Sequence, residues 1–238
     1  MDNNQQKVAI MQPYFFPYIG YFHLIAASDI FVFYDDVNFI KKGWIHRNQM
    51  LLGKEAYKFT IPLLAASQNK LINETEIFWE SGFAEKWLNQ LESSYKNAPN
   101  YQEVRLLIEK VLSNKDQNLA SLAIHSILLT CEYLGLNKVF HKSSDLGISK
   151  DAGRAERLIE ITKHFNCTQY INAVNGQELY NKPDFKEMGV DLSFVAPKII
   201  SYKQGGQTEF IPYLSIIDIL MWNKKEEILS VLFAFDII

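Results

Sequence analysis

Between residues 11 and 23 the chain reads Met11-Gln-Pro-Tyr-Phe-Phe-Pro-Tyr-Ile-Gly-Tyr-Phe-His23, and Gln12, Tyr14, Tyr21 and His23 are the side chains there with chemistry to offer. An imidazole titrates near neutral pH, so His23 is a candidate acid or base; on a helix it reads equally well as a satisfied core histidine. Pro13 and Pro17 lock their own φ and bias the preceding residue toward extended geometry, which stiffens the turn. Gly20 would let a ligand approach the backbone closely. The competing reading is that the aromatics plug the top of a core.

A second group follows at Asp35, Asp36, Lys41, Lys42, His46, Arg47 and Asn48. Lys42 and Arg47 suit a phosphate or carboxylate, Arg47 through its fork geometry, unless the loop is simply solvated. The two carboxylates could hold a magnesium ion or a sugar hydroxyl, but adjacent strand residues point to opposite faces, so at most one, here Asp36, is expected in a cleft. Ser143 and Ser144 can donate to an anion or cap the segment after them.

Other chemistries find no support. There is no Gly-x-x-x-x-Gly-Lys-Ser/Thr, and no Gly-x-Gly-x-x-Gly follows the first strand. Cys131 and Cys167 lack CxxC spacing and read as reduced packing thiols, which fits a cytoplasmic protein. His125 and His164 have no ligand spacing to a cysteine, no Ser-His-Asp order can be assigned, and no metal ligand set emerges. Asp218, a carboxylate in an apolar helix, is expected to bond a neighbouring loop rather than a substrate. The turn loosely resembles the Phe-x-Pro-x-His-x-Gly-His turn of nucleotidyl transferases through Phe15, Pro17 and Gly20. Tyr21 stands where the second histidine should be and the spacing is one residue short, so the likeness implies phosphate or nucleotide binding more than nucleotidyl transfer.

The elements that must position these residues alternate. Strands are expected over 7–11, 29–36, 56–62, 138–141, 168–171 and 192–195, and amphipathic helices over 84–93, 101–113, 119–134 and 151–165. Two terminal helices are expected over 211–221 and 226–235. This predicts an α/β fold: a doubly wound, mostly parallel, Rossmann-like sheet resembling nucleotidyl transferases, with a helical insert around 82–136, all in one domain over 1–238. If the first and fourth strands are central neighbours, the switch-point crevice lies between the 12–20 turn and the 141–145 loop.

Composition sets the remaining bounds. A chain of 238 residues with 48% hydrophobic content can bury one large core. The 24 basic and 27 acidic residues are spread evenly, so no chain-wide field for nucleic acid or an anionic membrane is indicated. The first seven residues are polar, and no run of about 18 apolar residues suggests a membrane span.

Taken together, Gln12-Pro-Tyr-Phe-Phe-Pro-Tyr-Ile-Gly-Tyr-Phe, Asp35-Asp-Val-Asn-Phe with Arg47-Asn48, and Phe210-Ile-Pro-Tyr-Leu-Ser-Ile-Ile-Asp218 resemble the WbqC-like family over almost the whole chain. Asn172-Ala-Val-Asn-Gly176 departs from the Ser-Gly start expected of relatives. The resemblance implies a bacterial, cytoplasmic role in O-antigen or other surface-polysaccharide biosynthesis. The expected reaction is transfer or ATP-dependent ligation of an acyl or aminoacyl group onto a nucleotide-linked sugar, with ATP or a nucleotide sugar, and magnesium, as candidate cofactors. A non-catalytic partner of a polysaccharide enzyme is the alternative, and a hydrolase is disfavoured because no activated nucleophile can be named.

Overall fold

A computed structural model describes residues 5–198, 201–206 and 209–238; the polar start at 1–4 lies outside them. The chain begins with β1 (Lys7–Met11), α1 (Ile19–Ala27) and β2 (Ile30–Phe33). In both strands alternate residues enter different cores. Val8, Ile10, Ile30 and Val32 pack with Leu158, Ile161 and Phe185, while Ala9, Phe31 and Phe33 pack with α1. Burial on both faces is why these strands read as unbroken apolar runs.

An antiparallel hairpin, β3 (Arg47–Leu52) and β4 (Glu55–Thr60), follows, then the short pair β5 (Leu63–Leu64) and β6 (Glu76–Ile77). Helices α2 (Phe83–Tyr95), α3 (Tyr101–Ser113) and α4 (Leu119–Leu134) come next. Their apolar faces join the core on the α1 side, and α4 is capped by Asn118 and closed by Gly135 at φ +74°. The chain then runs through β7 (Val139–Lys142), α5 (Arg154–His164), β8 (Gln169–Ala173), α6 (Lys182–Glu187) and β9 (Asp191–Pro197). It finishes with α7 (Ile216–Trp222), α8 (Lys225–Leu232) and β10 (Phe235–Ile237).

The main sheet has the order β10-β9-β8-β1-β2-β7, parallel throughout except for β10 against β9. A mixed α/β fold with a mostly parallel sheet and helices on both faces is therefore present. Three expectations are corrected. First, β7 is not beside β1, because β2 stands between them. Its half-exposed Val-Phe-His-Lys pattern suits an edge strand, whereas the buried Tyr170 and Ile171 of β8 suit the place next to β1. The switch point consequently falls between β1 and β8. Second, the strand near 56–62 is not in the main sheet but pairs with β3, which fits the other reading of residues 55–63, an edge hairpin. Third, the last helix ends at Leu232, and β10 covers the edge of β9.

Candidate functional site

The turn after β1 divides its aromatic residues between two surroundings. Phe15 and Phe16 are fully buried against each other and Trp87, as the core-plug reading has it. Tyr14, Pro17, Tyr18 and Tyr21 instead line an open cleft of about 1100 Å³ at the carboxyl ends of β1, β2 and β8. Phe16 sits at φ +42°, a conformation that costs a residue with a side chain about 1 kcal/mol or more. Three distant segments hold it there. Its N–H donates to Ser126 Oγ at 3.0 Å, and its carbonyl accepts from Asn48 Nδ2 at 2.6 Å and Ser215 Oγ at 2.7 Å. Tyr21 donates its hydroxyl to the Gln12 carbonyl at 2.9 Å.

The charged part of the cleft is built on Asp36 and Arg157. Arg157 Nη2 donates to Asp36 Oδ2 at 2.5 Å, and Ser143 Oγ donates to Asp36 Oδ1 at 2.5 Å. The guanidinium lies 4.9 Å over the Tyr34 ring. Burial opposes the charge of Arg157, but its bond to Asp36 and the contacts with Tyr34 more than offset that, so its pKa stands above the ordinary arginine value. Burial also raises the Tyr34 phenol, with Arg157 opposing. Lys150, half exposed, reaches to 3.8 Å from Asp36 Oδ2.

Asp35 and Asp36 lie beyond the end of β2, so the opposite-face rule for strands does not govern them, and both turn toward Ser143. Ser144 donates to Asp35 through its N–H at 3.0 Å and its hydroxyl at 2.7 Å. The two serines thus do hold an anion, and it is the protein's own carboxylate pair. All four carboxylate oxygens already accept hydrogen bonds, and among the described residues no group of three or more His, Cys, Asp or Glu is placed to hold a metal ion.

Of the residues expected at the site, Gln12, Tyr14, Pro17, Gly20, Tyr21, Asp36 and Asn48 line the cleft, and Pro13 is buried beside it. Gly20, which lines the cleft, also accommodates a neighbouring ring. A Cβ there would stand 2.2 Å from the Tyr18 ring, so the glycine makes room for that ring. Asn48 spends its amide on the Phe16 carbonyl. His23 is not brought to the cleft: two residues past Tyr21 is a rotation of about 200° around the helix. It is fully buried, with Nε2 3.1 Å from the Val231 carbonyl, and burial lowers its pKa. Lys42 is exposed outside the cleft. Arg47 bonds its own loop, donating Nε to the Gly43 carbonyl at 2.7 Å and Nη2 to the Lys42 carbonyl. The cations that line the cleft are instead Lys150, Arg154 and Arg157.

Those three cations were missed, although a signal existed. In a parallel α/β sheet the helix following a strand starts near the carboxyl edge, so cations at the start of α5 lie where the cleft forms. Arg157 also interrupts the apolar face that contains Leu158 and Ile161. Asn172, near the carboxyl end of β8, also lines the cleft. It is nearly fully buried, its Oδ1 accepts from the Ala173 N–H at 2.8 Å, and its amide nitrogen lies along the cleft beside Gly176.

Fold and site define an α/β protein with an open, tyrosine- and amide-lined cleft at the switch point of a mostly parallel sheet, with cations along one wall. The chain belongs to the WbqC-like protein family, whose model matches residues 12–230. It is 29% identical over 220 residues to Rv1507c of Mycobacterium tuberculosis, described as an uncharacterized protein, a match spanning 90% of this chain and 93% of that one. No solved structure matches the chain at a significant level. Among the described residues no helix is long and apolar enough to cross a membrane.

Proposed function

We propose that this chain is a transferase or ATP-dependent ligase of O-antigen or other surface-polysaccharide biosynthesis that attaches an acyl or aminoacyl group to a nucleotide-linked sugar held in the cleft. The observation that carries this reading is the juxtaposition of Lys150, Arg154 and Arg157 with the Tyr14 and Tyr180 rings and the Asn172 amide in one cleft. Cations meet a diphosphate, ring faces meet a base or sugar, and amides meet hydroxyls. The pathway comes from the family resemblance.

In this reading Arg157 is a fixed counter-charge, because Asp36 and Tyr34 hold it in place before ligand arrives. Arg154 and Lys150 are more exposed and close on the phosphates from the rim. Asp36 anchors Arg157 and is not assigned as a base. One observation favours the alternative of a non-catalytic nucleotide- or sugar-binding partner: the described residues lining the cleft include no histidine or cysteine.

The test is calorimetric titration of the isolated chain with ATP and with UDP-, GDP- and dTDP-sugars, repeated on Arg154→Ala. Binding of one nucleotide sugar, weakened in the variant, supports the site, and silence across the whole set sinks it. Turnover by the isolated chain separates the enzyme from the partner.

A further inference from the structure

The Ile40-Lys-Lys-Gly-Trp44 stretch is left without a task once its cations are found outside the cleft. Its geometry is defined. Gly43 donates its N–H to the Ile40 carbonyl at 2.9 Å, making a tight turn with Lys41 and Lys42 at the two central positions. Arg47 bonds the carbonyls of Gly43 and Lys42, which locks the turn. Ile40 and Trp44 flank the lysines and are 48% and 41% exposed, so two large apolar side chains stand beside two ammonium groups on one turn. Arg47 and Lys58 lie 5.6 and 5.7 Å from the centre of the Trp44 ring. Among the described residues, none of Lys41, Lys42, Arg47 or Lys58 forms a salt bridge. Ile40 and Trp44 also border the cleft, as do the exposed Leu179 and Tyr213.

We propose that this turn docks the protein on an anionic lipid surface, with the mouth of the cleft held near the headgroups. Two lysines at the apex of the turn, with Arg47 and Lys58 behind them and an exposed tryptophan and isoleucine beside them, match what a headgroup layer offers, since lysines are drawn to negative lipid charge and the indole settles at the interface. A protein partner is the poorer fit, because lysine is depleted from protein–protein interfaces and here occupies both apical positions. The chain-wide charge of −3 conceals the feature because acids elsewhere balance a local basic cluster. The proposal does not depend on which ligand the cleft takes.

The experiment is co-sedimentation of the full chain with phosphatidylglycerol–phosphatidylcholine vesicles and with phosphatidylcholine alone, at low and high salt. The expected result is binding to the anionic vesicles that weakens with salt and falls by about tenfold or more in Lys41→Glu/Lys42→Glu. Trp44→Ser should bind more weakly and lose the blue shift of tryptophan fluorescence on vesicle addition. Melting temperatures of the variants, read in parallel, show that the fold is intact. Absence of binding to anionic vesicles, binding indifferent to the charge reversal, or capture of an acidic protein with no vesicle binding would each overturn the proposal.

Discussion

Asp36 and Arg157 stand 121 positions apart in sequence and meet at 2.5 Å, each almost wholly buried at the edge of the cleft. One arrives after β2 and the other on the first turn of α5, and the two meet in the cleft at the carboxyl edge of the sheet. The pair shapes the cleft and stabilises the fold at once, which makes it separable by mutation.

Arg157→Met should destabilise the protein by about 3–5 kcal/mol, because it leaves a buried carboxylate without its partner. Adding Asp36→Asn should recover part of that loss while leaving nucleotide-sugar affinity impaired. Urea denaturation of the two variants, with titration of ligand into the double one, checks both halves. Full recovery of affinity in the double variant would mean that Arg157 acts only on the fold.

Arg154→Ala should weaken binding of a nucleotide sugar by about 1.5–3 kcal/mol with little change in melting temperature, since the side chain is exposed and its charge is free to meet a phosphate. Arg47→Ala, by contrast, should leave affinity unchanged, because its guanidinium is spent on its own loop. The reverse pattern of affinities would return the site to the loop after β2.

Ser126→Ala should cost about 1–3 kcal/mol of stability by orphaning the Phe16 N–H inside the core. Gly20→Ala should do something different, displacing the Tyr18 ring and lowering ligand affinity more than stability. Denaturation and titration curves for the two variants distinguish loss of the turn from loss of the cleft wall.

Two buried groups make stability respond to pH in opposite directions. Burial raises Asp218 to about 6, so the folded state holds its proton more tightly than the unfolded one. Stability from this group is present at low pH and lost as pH rises from about 4 through 6, and Asp218→Asn should therefore gain on wild type over that range, by roughly 3 kcal/mol. His46 is lowered to about 4 by burial and then by Arg47, so its contribution is present above the unfolded value near 6.5 and lost as pH falls toward 4. His46→Gln should flatten the acid side. Denaturation midpoints of both variants across this range are the check, and an Asp218→Asn difference that ignores pH would refute the first half.

Much was legible in the sequence because the relevant physics is local. Unbroken apolar runs announced β1 and β2, three- and four-residue spacing placed α3 and α4 at their observed ends, and the proline-rich turn after β1 marked the cleft edge. Adding the motifs near 35–48 and 210–218 was enough to point to the family. Strand neighbours and side-chain partners were decided only by the tertiary structure, because they depend on contacts between distant segments. The short, polar strand at 139–142 takes the sheet edge, which moves the switch point to β8 and brings the start of α5 into the cleft. His23 and Arg47 looked chemical by type. Packing committed one to the Val231 carbonyl and the other to its own turn, while Arg157, hidden in an apolar helix face, became the fixed charge because Asp36 was there to meet it.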